Sequence, residues 1–135
     1  MRRGLEQWPK LNSLAETLLM FWAERTPNSK IWQIDHQTTL QVIIGDANQQ
    51  VNQWNGCADA WYLDGFSPSK NPDMWSSDLM QNVFDHTKPE GTFATYTSAG
   101  WVRRNLADAG FEVKRVPGHG KKRHMSVGKK LEPTL

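Results

Sequence analysis

Apolar residues at Leu11, Leu14, Ala15, Leu18, Leu19 and Trp22 recur at i, i+3, i+4, i+7, i+8 and i+11, the single stripe of an amphipathic helix. Pro27 lacks a backbone donor and disfavours helix in the residue before it, so this helix is predicted to end near Arg25. Residues 30–35 and 38–44 are rich in β-branched and aromatic side chains. They flank a short turn at His36-Gln37, which predicts a hairpin. Residues 47–54 are polar with Val51 and Trp54 three apart, the pattern of a short surface helix. Residues 58–63 are nearly continuous in apolar side chains and predict a strand buried on both faces of a parallel sheet. A helix over about residues 76–86, a turn at Lys88-Pro89-Glu90-Gly91 and a strand over 92–96 follow. Thr97 or Ser98 is predicted to cap a helix over 99–109 that stops at Gly110, and residues 111–116 and 124–127 read as strands. Strands alternate with helices from residue 38 onward, which predicts an α/β fold with a mainly parallel sheet. Residues 1–10 and those after Val127 are expected to lie outside the ordered part.

Composition narrows the classes. The 135 residues amount to one domain at most, and the longest apolar run is broken by Asp59 and far too short to cross a bilayer. Met1-Arg2-Arg3 leads into Gly-Leu-Glu-Gln-Trp-Pro and not an apolar segment, so no membrane partner and no secretory signal are expected, and the cytoplasm is the simplest location. A lone Cys57 makes no internal disulfide and brings one thiolate at most to a metal. His36, His86, His119 and His124 share no helical i, i+4 spacing, so no metal site is expected. The net charge of +2 conceals a polarity along the chain. Residues 1–100 carry 7 basic and 11 acidic side chains, residues 101–135 carry 9 and 3. The basic third is placed to meet a polyanion, or is a solvated tail.

In open α/β sheets ligands bind beyond the carboxyl ends of the strands. Two carboxylates stand there: Asp46, after residues 40–44, and Asp64, after residues 58–63. Such a group accepts hydrogen bonds from an amine or an exocyclic amino group. The competing reading is that each caps a turn or the next helix. A serine-nucleophile elbow and the common phosphate-cradling Gly-rich loop are both missing from the sequence. Lys121, Lys122 and Arg123, after a flexible Gly118-His119-Gly120, suit phosphate contacts, and Arg103 and Arg104 extend the same character in the preceding helix.

With the two acids placed, the wording becomes recognisable. Asp59-Ala-Trp-Tyr-Leu-Asp-Gly-Phe-Ser-Pro-Ser-Lys-Asn-Pro-Asp-Met-Trp75 resembles the signature of the methyltransferase half of the MnmC family, the bifunctional enzymes of tRNA 5-methylaminomethyl-2-thiouridine biosynthesis. Gly91-Thr-Phe-Ala-Thr-Tyr-Thr-Ser-Ala-Gly-Trp-Val-Arg-Arg104 is similar to the same family, as is Ala109-Gly-Phe-Glu-Val with Gly118-His-Gly-Lys-Lys-Arg-His-Met125. The resemblance covers residues 11–127.

It implies a class I, Rossmann-like fold and methyl transfer from S-adenosylmethionine to the primary amine of 5-aminomethyl-2-thiouridine at the tRNA wobble position. In that frame Asp46 and Ala47 belong to the loop that hydrogen-bonds the adenine amino group. Asp64 contacts methyl donor and substrate amine, and is the catalytic residue. Phe66 and Pro68 form an apolar wall beside the base, and Lys70, Arg103, Arg104, Lys121, Lys122 and Arg123 hold the tRNA. The family also has an earlier Gly-rich loop after its first strand and an acid after its second, and neither motif precedes Leu11. Residues 11–127 therefore match the C-terminal part of such a domain, with an incomplete cofactor site and without the FAD-dependent oxidase half. Residues 30–44 are then left to find another partner or to remain poorly anchored. The expected partners are tRNA and either the missing N-terminal half or an oxidase domain. Alternatives are a non-catalytic RNA-binding remnant and a subunit that completes a split methyltransferase.

Overall fold

A computed structural model describes residues 8–24 and 31–133. The chain divides into two compact units, residues 1–44 and 45–135. None of the described helices is long and apolar enough to cross a membrane.

In the first unit a 3-10 turn at Pro9–Leu11 leads into helix α1, Asn12–Ala23. Helix α1 ends two residues before the expected Arg25, which with Pro27 and Lys30 lies outside the described residues. Its stripe is real but thinly covered: Leu18, Leu19 and Trp22 line an apolar hollow with Leu40 and Val42, while Leu14 and Met20 are exposed. Strands β1, Ile31–Gln33, and β2, Thr39–Gln41, form the expected hairpin, with Trp32 opposite Leu40. The two strands form a two-stranded antiparallel sheet. At the turn the Gln37 backbone N–H donates to Asp35, the main cause that holds the Asp35 carboxyl below its ordinary range.

The second unit runs α2 (Ala47–Gln53), β3 (Ala58–Leu63), a 3-10 turn (Pro72–Trp75), α3 (Ser77–Asp85), β4 (Thr87–Thr95), α4 (Gly100–Ala109), β5 (Glu112–Pro117) and β6 (His124–Lys129). Its four strands are ordered β3-β4-β6-β5. Only β3 and β4 are parallel; β6 is antiparallel to both neighbours, so the sheet is mixed, not mainly parallel. The cause is the connection. Helix α3 carries the chain over from β3 to β4, whereas the six residues from Gly118 to Arg123 are too few for the dozen or more that a crossover needs, which makes β5–β6 a hairpin.

The expectation that β3 is buried on both faces is also corrected. It pairs with β4 alone among the described strands, and Asp59, Ala60 and Tyr62 are exposed. The Lys88-Pro-Glu-Gly91 segment is not a turn between elements but part of β4. Its turn-like composition appears as a bulge: partners step from Ala58↔Thr87 to Ala60↔Thr92, and Glu90 has φ 67°. Pro is tolerated at such a bulge because the ladder is interrupted there. Strand β6 runs two residues past Val127, since Glu90 N donates to Lys130 O and Lys130 N to Gly91 O, both at 2.8 Å. An ion pair between Lys129 and Glu90 lies on the same edge and draws the Glu90 carboxyl below its usual range.

The core lies where α3 and α4 pack on one sheet face: Trp75, Leu79, Met80, Val83, Phe93, Val102, Leu106, Ala109 and Phe111. Phe111 meets Phe84 and Phe93 edge-to-face at 5.0 and 4.9 Å between centroids. Gly110 ends α4 as expected, at φ 121°, and a Cβ there would lie 2.6 Å from the Phe84 ring. Ala99, not Thr97 or Ser98, is the N-cap residue of α4. Thr97 acts beside it by accepting from Ala99 N through Oγ1.

Candidate methyl-transfer site

Because β3 and β4 are parallel and in register at Leu63↔Thr95, the residues that follow them emerge side by side. Asp64 leaves β3 and Tyr96 leaves β4. The antiparallel β6 places its first residues, and with them the β5–β6 loop, at this same edge, Ser126 lying opposite Thr95. The result is a cleft of about 450 Å³ at the carboxyl edge, lined by Asp64 together with Tyr62, Tyr96, His119, Lys122 and Met125. Ser126 is buried and donates from Oγ to Thr97 O at 2.8 Å, tying β6 to the chain just past β4.

Asp64 is exposed, and its Oδ1 accepts from Gly65 N at 2.8 Å. The next two carbonyls are held by aromatic donors. Tyr96 Oη donates to Gly65 O at 2.8 Å and Trp75 Nε1 to Phe66 O at 3.1 Å. The two rings pack edge-to-face, 6.2 Å apart, and Trp75 is 2% exposed. This backbone is thereby pinned to the core. Helix α2 joins the same frame, since Ser76 Oγ donates to Asn48 Oδ1 at 3.2 Å and Asn48 Nδ2 to Asp73 O at 3.5 Å. Ser76 in turn caps α3 by accepting from Leu79 N.

Asp46 is the N-cap of α2 and accepts from Gln49 N at 3.2 Å. One of its oxygens therefore does the capping work that was the competing reading, and Ala47 is the half-buried first residue of the helix. Phe66 is 77% exposed. Pro68 is buried, so its ring packs inward and is not part of an exposed wall. Lys70 is exposed on a turn closed by its own N–H to Ser67 O. Arg104 is exposed on the first turns of α4. Arg103 is half-buried, with its Nε enclosed and without a hydrogen-bond partner, and neither arginine lines the cleft. Lys121, Lys122 and Arg123 occupy the β5–β6 loop, all exposed, and of the three only Lys122 lines the cleft.

Tyr62, Tyr96, His119 and Met125 were not singled out from the chain. The sequence pattern makes Tyr96 the last residue of the strand over 92–96; the structure ends β4 at Thr95, which puts Tyr96 just past the strand beside Asp64.

Comparison with known proteins is consistent with this geometry. Residues 9–131 match the family described as S-adenosyl-L-methionine-dependent methyltransferase. The tRNA 5-methylaminomethyl-2-thiouridine biosynthesis bifunctional protein MnmC of Pseudomonas entomophila strain L48 is 42% identical over 123 residues, 90% of this chain and 19% of that protein. Its counterpart in Chromobacterium violaceum is 44% identical over 129 residues, 95% of this chain and 20% of that protein. The chain thus spans about a fifth of the curated relatives it matches. The crystal structure of MnmC2 from Aquifex aeolicus superposes with a TM-score of 0.67 at 30% identity, covering 86% of this chain and 38% of that one. The chain belongs to the S-adenosyl-L-methionine-dependent methyltransferase family, and matches the methyltransferase portion of its MnmC members.

Proposed function

We propose that this chain carries the acceptor side of a tRNA-modifying methyltransferase, presenting the primary amine of 5-aminomethyl-2-thiouridine for methylation. The observation that carries this reading is Asp64: an exposed carboxylate at a strand's carboxyl end, lining a cleft and held on a pinned loop. S-adenosylmethionine supplies, when bound, a methyl group on a sulfonium leaving group. Asp64 accepts an N–H of the neutral amine, which turns the nitrogen lone pair toward the methyl carbon, and alignment supplies much of the rate. Phe66 offers an apolar face to the base, while Lys70, Lys121 and Arg123 face the RNA backbone, where cations fix position without reading sequence.

The fit to the methyl donor is partial. The cleft offers a carboxylate and aromatic walls, and Asp46 with Ala47 offers a second carboxylate at a helix start for the adenine amino group. No Gly-x-Gly motif of the kind that cradles the methionine part occurs in the sequence before Leu11. Titration calorimetry of this chain with S-adenosylmethionine is therefore expected to give a Kd weaker than ~100 μM. Micromolar binding would sink the claim of a partial site.

A second reading, a piece that completes a sheet supplied by another polypeptide, is favoured by the position of β3 as the end strand of its sheet among the described strands, since an open edge is a template for pairing. Adding a polypeptide with the Gly-rich unit would then sharpen S-adenosylmethionine binding; an unchanged Kd rejects it.

For the RNA role, neutralising Lys121, Lys122 and Arg123 together is expected to reduce the slope of log affinity for tRNA against log salt by ~2. An unchanged slope would remove the loop from the RNA interface.

A further inference from the structure

The Asp64 loop and the basic loop meet at one side chain. The Tyr96 hydroxyl holds the Gly65 carbonyl, one residue past Asp64, and the Lys122 ammonium lies over the same ring at 5.3 Å from its centroid. We propose that Tyr96 and Lys122 are positioning residues that couple the β5–β6 loop to the Asp64 loop, so that RNA seated on the basic loop also steadies the carboxylate; the RNA half of this proposal rests on the function proposed above.

Three features support it. Trp75 packs its edge against Tyr96 while donating to Phe66 O, so the ring that faces Lys122 is also part of the frame that pins the loop. The Lys122 backbone is itself set by a tight turn, with Gly118 N donating to Arg123 O at 3.0 Å and Lys122 N to His119 O at 3.2 Å. A Cβ on Gly118 would lie 2.3 Å from Lys122 O, so only glycine permits that turn. Finally, the three cations are not equivalent. Lys122 reaches the cleft, whereas Lys121 and Arg123 do not line it and stay available to phosphates. A cation over an aromatic face is attracted by the ring quadrupole, and here it joins two loops that the backbone does not connect.

The test is amide exchange by NMR on this chain, read at Gly65, whose N–H donates to Asp64, and at Phe66. Tyr96→Phe keeps the ring and deletes the hydroxyl; Lys122→Met keeps the stem and deletes the charge. Both are expected to speed exchange at Gly65 and Phe66 by about fivefold, roughly the worth of one hydrogen bond, while Phe93 and Leu106 in the core keep their rates. Lys122→Arg is expected to restore the wild-type rate, and Lys121→Met to leave it within about twofold. The Lys122 ε-methylene protons should be shifted upfield by the ring, and lose that shift in Tyr96→Leu. Unchanged Gly65 exchange in Lys122→Met, or an unshifted methylene, overturns the coupling. Adding an anticodon stem-loop RNA should then slow Gly65 exchange in the wild type and not in Lys122→Met. If RNA changes nothing while the RNA-free variants behave as expected, the tRNA reading fails and the loop coupling stands. If RNA binds and slows Gly65 equally in both proteins, the coupling fails and the tRNA reading stands.

Discussion

Asp64→Ala is expected to lower methyl transfer to a 5-aminomethyl-2-thiouridine anticodon stem-loop by ~100-fold or more, with RNA affinity within about twofold of wild type, in an assembly that includes the Gly-rich unit. The size follows from position. Asp64 is exposed at the cleft, and its loop takes its rigidity from Tyr96 and Trp75 acting on the next two carbonyls, so the substitution removes the acceptor and leaves its support in place. RNA affinity should survive because Lys121 and Arg123 lie on the β5–β6 loop, and Lys70, although on the Asp64 loop, sits on a separate turn closed by its own N–H to Ser67 O. The assay is transfer of labelled methyl, with a separate equilibrium measurement of RNA binding. Methylation near the normal rate would remove Asp64 from the chemistry. A parallel collapse of RNA binding would make it a general determinant of the surface and not of the transfer step.

Trp75→Ala is expected to cost about 3–5 kcal/mol of stability, the usual range for deleting a buried aromatic side chain. Trp75 is 2% exposed, lies in the cluster with Leu79, Phe93 and Val102, and packs against Tyr96. It also donates to Phe66 O, while its own carbonyl accepts from Asn105 Nδ2 at 2.9 Å, which joins the 3-10 turn to α4. Trp75→Phe separates the contributions: most of the packing remains and the Phe66 bond is lost, for about 1 kcal/mol. Urea unfolding followed by circular dichroism measures both. A loss under about 1 kcal/mol for Trp75→Ala would mean that the ring is not part of the core. Disturbance at Asp64 in Trp75→Phe without a large change in stability is the expected mark of its second task.

Most elements were legible from local pattern. The apolar stripe of α1, the Gly110 stop of α4 and the hairpin of residues 31–41 depend on interactions within a few residues, which periodicity and turn chemistry report directly. Lys88-Pro-Glu-Gly91 shows where that reasoning stops. Its composition does deform the chain, but pairing with Ala58 and Ala60 on one side and Lys130 on the other keeps it inside β4. Similarly, the apolar run of residues 58–63 looked like a strand covered on both faces, although Tyr62 is 87% exposed. Apolar content reports what a strand is able to bury and not which neighbours are present to bury it.

The site followed the same division. The motif around Asp64 identified the family and singled out the carboxylate without any coordinates, because strand, terminating acid and Gly-Phe-Ser-Pro loop are contiguous in the chain. Asp46 was equally visible, and its capping of α2 is the local role that a strand-end Asp most readily takes. Contact across the sheet was not visible. Asp64, Tyr96 and Lys122 lie 32 and 26 residues apart along the chain, and only the parallel register of β3 with β4 and the antiparallel return of β6 bring them to one edge. Residue types and their short-range spacing thus settled the family, the helices and the candidate acid, since each is a property of neighbours along the chain. Which strand forms an edge, which aromatics pin the Asp64 loop and which of three adjacent lysine and arginine side chains turns into the cleft depend on pairing between distant segments, and those were decided by the tertiary fold.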